Sequence, residues 1–263
     1  PASSLTGSEM QDRPELVGIA RTAPPEKLWA IIQQATEEVL LAVLENPACE
    51  PFHVIAILRS PRVTPTVAER VYADSRWLRH YRVKVALVHC RAMPYVLSSQ
   101  VIYELFWYDL AQVALNPRID PRLRQMAERL VIQKLEEMAV GEKMVLARVA
   151  SRNLIVHIRN TCREAGVLLN LLRNPRLVEE DLLALLQVPQ LPVEFIRALA
   201  ALPQWCNRPA VRMALLRHPH TPVHVVAQLI PRLQPSEVLQ LLQDCAPRPI
   251  VRRLLRELRR IPT

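Results

Sequence analysis

Proline, not glycine, punctuates this chain: 23 prolines stand against 4 glycines in 263 residues. Average usage would give roughly 18 glycines and 13 prolines at this length. Phosphate-cradling loops and β-rich folds need glycine at turns, so both are disfavoured. The prolines recur in a block that reads ENPACEP from Glu45, RSPRVTP from Arg59, LNPRIDP from Leu115, RNPRLVE from Arg173, QVPQLP from Gln187, RHPHTP from Arg217 and CAPRP from Cys245. Stretches of roughly ten residues rich in Leu, Val and Ile, with helical period, flank each block. The block reads as a joint between two helices. The first Pro forbids continuation, Asn tolerates the left-handed conformation that ends a helix, and the second Pro suits the first position of the next helix.

A longer period lies over the joints. Pro47 and Pro175, Pro61 and Pro189, and Pro94 and Pro222 are each separated by 128 in the numbering. Sliding the chain by 128 aligns it without a gap from about Val39 to Leu130: EVLLAVLENP falls on GVLLNLLRNP, Trp77 on Trp205, Gln112 on Gln240 and Arg124 on Arg252. Register held over that span indicates an internal duplication. The expected fold is therefore all-α: an α-solenoid of short stacked helices with Pro-rich joints, built as two tandem homologous halves offset by 128. Residues 1–12 read as a disordered or appended tail, 13–140 as the first half and 141–263 as the second. Asp120 to Val140 reads as the longest helical run, joining them. Trp77 and Trp205 are expected as equivalent core anchors, with a place on a concave face as the alternative.

VRMALLRHPHTPVHVVAQL, from Val211, resembles a repeat of the leucine-rich repeat variant type, V-R-x-x-hydrophobic-x-N-P-x-T-P followed by an apolar helix, and more broadly resembles HEAT-like solenoids. YRVKVALVHCRAMP, from Tyr81, matches too, with Arg91 in the slot of the first Pro. GEKMVLAR followed by RNPRLVEEDLLALL is similar to bacterial HEAT-like proteins. The resemblance implies a superhelical binding scaffold and carries no catalytic motif. The iron–sulfur cluster of some family members sits in a Cys-rich N-terminal segment. No Cys precedes Cys49 here, so it is not carried over and no cofactor is expected.

The formal charge is +9, with 34 basic and 25 acidic residues. Residues 1–140 hold 16 of each sign and residues 141–263 hold 18 basic and 9 acidic, so the excess lies in the second half. The basic residues are nearly all Arg, which with abundant Ala, Leu and Pro also fits a GC-rich genome. Arg208, Arg212, Arg217, Arg248, Arg252, Arg253, Arg256, Arg259 and Arg260 form the candidate tract for nucleic acid, another anion, or an anionic lipid surface met by the C-terminal helix. The competing reading of that helix is a charged cap closing a solenoid. Arg148, Arg152, Arg159 and Arg163 form a second series. Acidic pairs such as Glu136-Glu137 and the run Glu179-Glu180-Asp181 read as helix-start capping.

Four of twelve aromatics, Tyr103, Phe106, Trp107 and Tyr108, fall within six residues. Their aligned positions hold Pro231, Gln234, Pro235 and Ser236. Tyr103, Phe106 and Trp107 share a face of a continuous helix, either as an exposed patch that anchors a protein partner or as locally enlarged core. Five cysteines with no C-x-x-C spacing read as core fillers in a reducing, cytoplasmic setting. His218, His220 and His224 are the metal constellation to weigh, against ordinary joint residues. No secretory signal and no uninterrupted apolar span is visible. The leading expectation is a non-enzymatic scaffold that binds another protein. Its rivals are a nucleic-acid-binding solenoid using the basic half and, more remotely, a HEAT-like DNA glycosylase using Asp74, Trp77, Trp107 and Asp109.

Overall fold

The structure, a computed structural model, describes residues 7–243 and 249–258. Every regular element among them is helical. Two compact units divide after Gln133. The first holds α1 (Gly7–Thr22), α2 (Pro25–Gln34), α3 (Glu37–Glu45), α4 (Pro51–Arg59), α5 (Pro65–Ala73), α6 (Ser75–Leu78), α7 (Tyr81–His89), α8 (Tyr95–Val101), a 3-10 turn (Ile102–Glu104), α9 (Trp107–Leu115) and most of α10 (Pro121–Leu135). The second holds α11 (Val140–Val149), α12 (Arg152–Thr161), α13 (Ala165–Leu171), α14 (Glu179–Leu186), α15 (Val193–Ala201), α16 (Pro203–Cys206), α17 (Pro209–Arg217), α18 (Val223–Leu229), a 3-10 turn (Ile230–Arg232), α19 (Pro235–Gln243) and α20 (Pro249–Leu258). The division falls inside α10, and α1 begins at Gly7. At 16 residues α1 is also one longer than α10.

Most of these helices are too short to persist alone, so packing must hold them. In the first unit α1 packs on α3 and α3 on α5, while α2 packs on α4, α4 on α7 and α7 on α9. In the second, α11 packs on α13 and α13 on α15, while α12 packs on α14, α14 on α17 and α17 on α19. α3, which packs on both α1 and α5, is covered on several sides: its Val39, Leu40, Ala42, Val43 and Leu44 are all buried. Trp77 and Trp205 are buried as expected, each with an arginine over its ring, Arg76 at 3.9 Å and Arg208 at 4.7 Å. Cys49, Cys90, Cys162 and Cys206 are buried free thiols, and burial pushes Cys49 up to about 11.

The joints explain the element starts. Pro25, Pro51, Pro65, Pro121, Pro203, Pro209, Pro235 and Pro249 each open a helix, where a missing N–H costs nothing. The starts of the elements from α3 to α10 all keep the offset of 128 from their counterparts, from Glu37 and Ala165 to Pro121 and Pro249. The role expected for Asn is corrected. No described non-Gly residue has a positive φ, and Asn46 sits at φ −66°, ψ 126°, because the following proline pushes its predecessor into the extended region.

Asn acts through its side chain instead. Asn46 Nδ2 donates to the carbonyls of Ala20 (2.8 Å) and Ala23 (2.9 Å), and its Oδ1 accepts from the Ala48 N–H (2.7 Å). Asn174, its counterpart in the second unit, donates to Ala147 (2.8 Å) and Ala150 (3.1 Å) and accepts from the Arg176 N–H (2.8 Å). Each amide thus satisfies carbonyls at the C-terminal end of a helix two elements earlier, which otherwise lack partners. His218 does the same job: Nδ1 accepts from the His220 N–H (3.2 Å), which leaves Nε2 to donate to the Val188 carbonyl (3.0 Å). Asn46→Ala and Asn174→Ala are each expected to cost about 1–3 kcal/mol, since buried carbonyls are left unpaired. Urea unfolding checks this, and a loss under about 0.5 kcal/mol, the level of a surface substitution, contradicts it.

Candidate functional site

The second row builds its own clamps from the third residue of each helix. His53 of α4 accepts at Nδ1 from the Glu50 N–H (3.1 Å) and bonds through Nε2 to the Pro25 carbonyl of α2 (3.2 Å). In α9 the corresponding Asp109 accepts from the Tyr81 hydroxyl, and Tyr81 Oη accepts from the Phe106 N–H (3.0 Å). Burial, then the bond to Asp109, pushes the Tyr81 phenol up to about 12, so it stays a neutral donor. In α14 the residue is Asp181, fully buried, which accepts from the Val178 N–H (3.1 Å), from Arg152, and from Arg159 (3.0 Å). In α19 it is Glu237, which accepts from the Gln234 N–H (2.7 Å) and both of whose oxygens accept from Arg212 Nη2 (2.8 and 2.9 Å).

Two arginines of the candidate tract are held by carboxylates. Arg212 is buried on Glu237, and Arg208 is bound to Glu179 at 2.8 Å. The Arg212 guanidinium is not free to receive a phosphate, because a buried guanidinium must keep its carboxylate, whereas the Arg208 pair is on the surface. Arg152 and Arg159 are likewise held by Asp181, and Arg163 donates to the carbonyls of Arg159, Asn160 and Cys162 at the end of α12. Arg217, Arg252 and Arg253 are exposed. Arg248, Arg259 and Arg260 lie outside the described residues, as does the side chain of Arg256. Both ring nitrogens of His218 are engaged by backbone, which removes it as a metal ligand.

The aromatic cluster is on the surface. Tyr103 is 61% exposed, Phe106 66% and Tyr108 46%, and Trp107 is half-buried, so the enlarged-core reading fails. The shared helix face also fails. Tyr103 lies in the 3-10 turn, the chain turns extended at Leu105 and Phe106, and Trp107 opens α9.

What sequence reasoning missed is the company these residues keep. The Phe106 ring lies 4.6 Å from that of Tyr81, and Tyr81 lines a groove of about 750 Å³ between α4 and α7 with Trp29, Phe52, Ile55, Ala56, Arg59, Arg82, Val85 and Asp109. Trp29 and Phe52 are 45% and 42% exposed and stack at 5.8 Å and 13°. Three consecutive helices of one row, α2, α4 and α7, thus present aromatics to one groove, with Phe106 beside Tyr81. In the second unit a groove of about 670 Å³ occupies the same sequence positions, since Leu183, Gln187, Pro209, Ala210, Met213 and Glu237 are the counterparts of Ile55, Arg59, Tyr81, Arg82, Val85 and Asp109. That groove has no aromatic lining among the described residues.

Of the glycosylase set, Asp109 alone lines the groove. Asp74 caps α6 through the Arg76 N–H (2.9 Å) and Trp77 is in the core. No group of three His, Cys, Asp or Glu gathers among the described residues, and no described helix is long and apolar enough to cross a membrane. No family model, curated protein or solved structure matches this chain.

The two arginine classes predict opposite mutational costs. Arg212→Ala leaves Glu237 buried without its partner and is expected to cost about 3–5 kcal/mol, whereas exposed Arg252→Ala is expected to cost less than about 0.5 kcal/mol. Thermal and urea unfolding check this, and equal costs contradict the assignment.

Proposed function

We propose that this chain is a non-enzymatic helical scaffold of the leucine-rich repeat variant or HEAT-like kind, two homologous halves in tandem, that binds a protein partner through the α4–α7 groove of its first unit and the Phe106 cluster beside it. The exposed aromatic surface carries the reading. Trp29, Phe52 and Phe106 are each more than two-fifths exposed; Trp29 and Phe52 line one groove and Phe106 packs on Tyr81 of its wall, where single scattered apolar residues would need no explanation. Aromatics in a pocket are the usual anchors of protein interfaces. Asp109, the carboxylate lining the groove, is engaged by Tyr81, which favours positioning over acid–base chemistry.

The duplication is supported by the coincident element starts and by the matched Asn46 and Asn174 bonds. In this reading one copy keeps an aromatic groove and the other has lost it. Nucleic-acid binding by the second half has less support, since Arg208 and Arg212 hold carboxylates.

Phe106→Ala and Trp29→Ala should leave helicity and melting temperature nearly unchanged. They should weaken retention of the native partner at least tenfold at about 0.15 M salt, measured by pull-down from the host with the full chain as bait. Undiminished retention by the double variant would place the interface elsewhere.

A further inference from the structure

A second depression of about 720 Å³ adjoins the aromatic groove and shares Arg59 with it; it is lined by Arg59, Arg91, Arg118, His89, Asn116 and Ser60 among others, with no carboxylate among the described lining residues. Arg59, Arg91 and Arg118 are exposed, as is Arg82 at the aromatic end. None of the four forms an ion pair with a described residue, whereas Arg152, Arg159, Arg208 and Arg212 of the other unit all do. His89 adds no positive charge: burial lowers its pKa, and its Nδ1 lies 3.2 Å from Asn116 Nδ2.

Three helices, α4, α7 and α9, end at this depression, each with a partial charge of about −0.5 at most. Three guanidiniums exceed that sum, so the site is net positive. Along α4 the distance from Phe52 to Arg59 is about 10 Å at a helical rise of 1.5 Å per residue, the span of about three extended residues.

We propose that the groove takes an acidic peptide segment of the partner: a large apolar or aromatic residue seated among Trp29, Phe52 and Tyr81, and carboxylates three to five residues away on Arg59, Arg91 and Arg118. This rests on the protein-binding reading above and supplies the chemistry of the segment bound. Charge complementarity selects the occupant, and the aliphatic floor of Ile55, Ala56 and Val85 suits a side-chain anchor better than a stack of bases, which needs open aromatic faces. The second unit, with Pro209 and Ala210 where Tyr81 and Arg82 stand, does not repeat the site.

The test is selection from a random peptide display library with the full chain as bait. Recovered peptides should pair a Trp, Phe, Leu or Ile with Asp or Glu three to five residues away. Their affinity should fall at least tenfold for the Arg59→Glu, Arg91→Glu, Arg118→Glu triple variant, which changes only exposed side chains and should keep its circular dichroism. Basic or neutral peptides that bind the parent and are lost on Trp29→Ala would overturn the acidic segment while leaving the groove reading intact. No peptides above a bait-free control would overturn both. A single-stranded DNA oligonucleotide that binds more tightly than any peptide, and is lost in the triple variant, would assign the site to nucleic acid instead.

Discussion

The side-chain amide of an asparagine set just before a proline holds this architecture together. Asn46 and Asn174 each reach back across a helix pair to carbonyls that a helix end leaves open, and each also accepts from the turn that follows it. A proline joint removes an N–H and fixes φ but supplies no long-range tie. The amide supplies it. Other ties cover similar chain distances: Tyr72 to Gln100, Tyr81 to Asp109, His218 to Val188, Arg212 to Glu237. The last three link a helix to its neighbour in the second row, and the first links α5 to α8. A chain with so few glycines can turn this often because its turns need no positive φ.

The same frame serves two different surfaces. In the first unit the third residue of α9, Asp109, is held by a neutral tyrosine that lines the groove. In the second unit the matching Glu237 is held by an arginine, and a proline occupies the tyrosine's place. In the second half Arg152, Arg159, Arg208 and Arg212 hold internal carboxylates and Arg163 holds carbonyls, while in the electrically balanced first half Arg59, Arg82, Arg91 and Arg118 have no such partners.

Much of the fold was legible. The second proline of each joint marked helix starts at Pro51, Pro65 and Pro121, and the offset between the halves carried over to the element starts of the second unit. The conformation of Asn46 was misread because Asn is usually left-handed at a helix end, whereas here the following proline decides. The ion pairs of Arg152, Arg159, Arg208 and Arg212 were not legible because the carboxylates that bind them lie some 22 to 29 residues away, beyond any local pattern. Asp181 and Glu237, each third in its helix, were the available signal. Trp29 and Phe52 carry no motif. Only the packing of α2 against α4 brings them together beside Tyr81 and Phe106.

Amide hydrogen exchange at the joints tests the asparagine clamp most directly. The N–H groups of Ala48 and Arg176 lie in turns, outside any helix ladder, yet each donates to a buried asparagine oxygen. If the clamps organise the fold, these two amides exchange as slowly as those of the neighbouring helices, through unfolding of the unit. Exchange at the rate of an open turn, while α3 and α13 remain protected, would contradict the account.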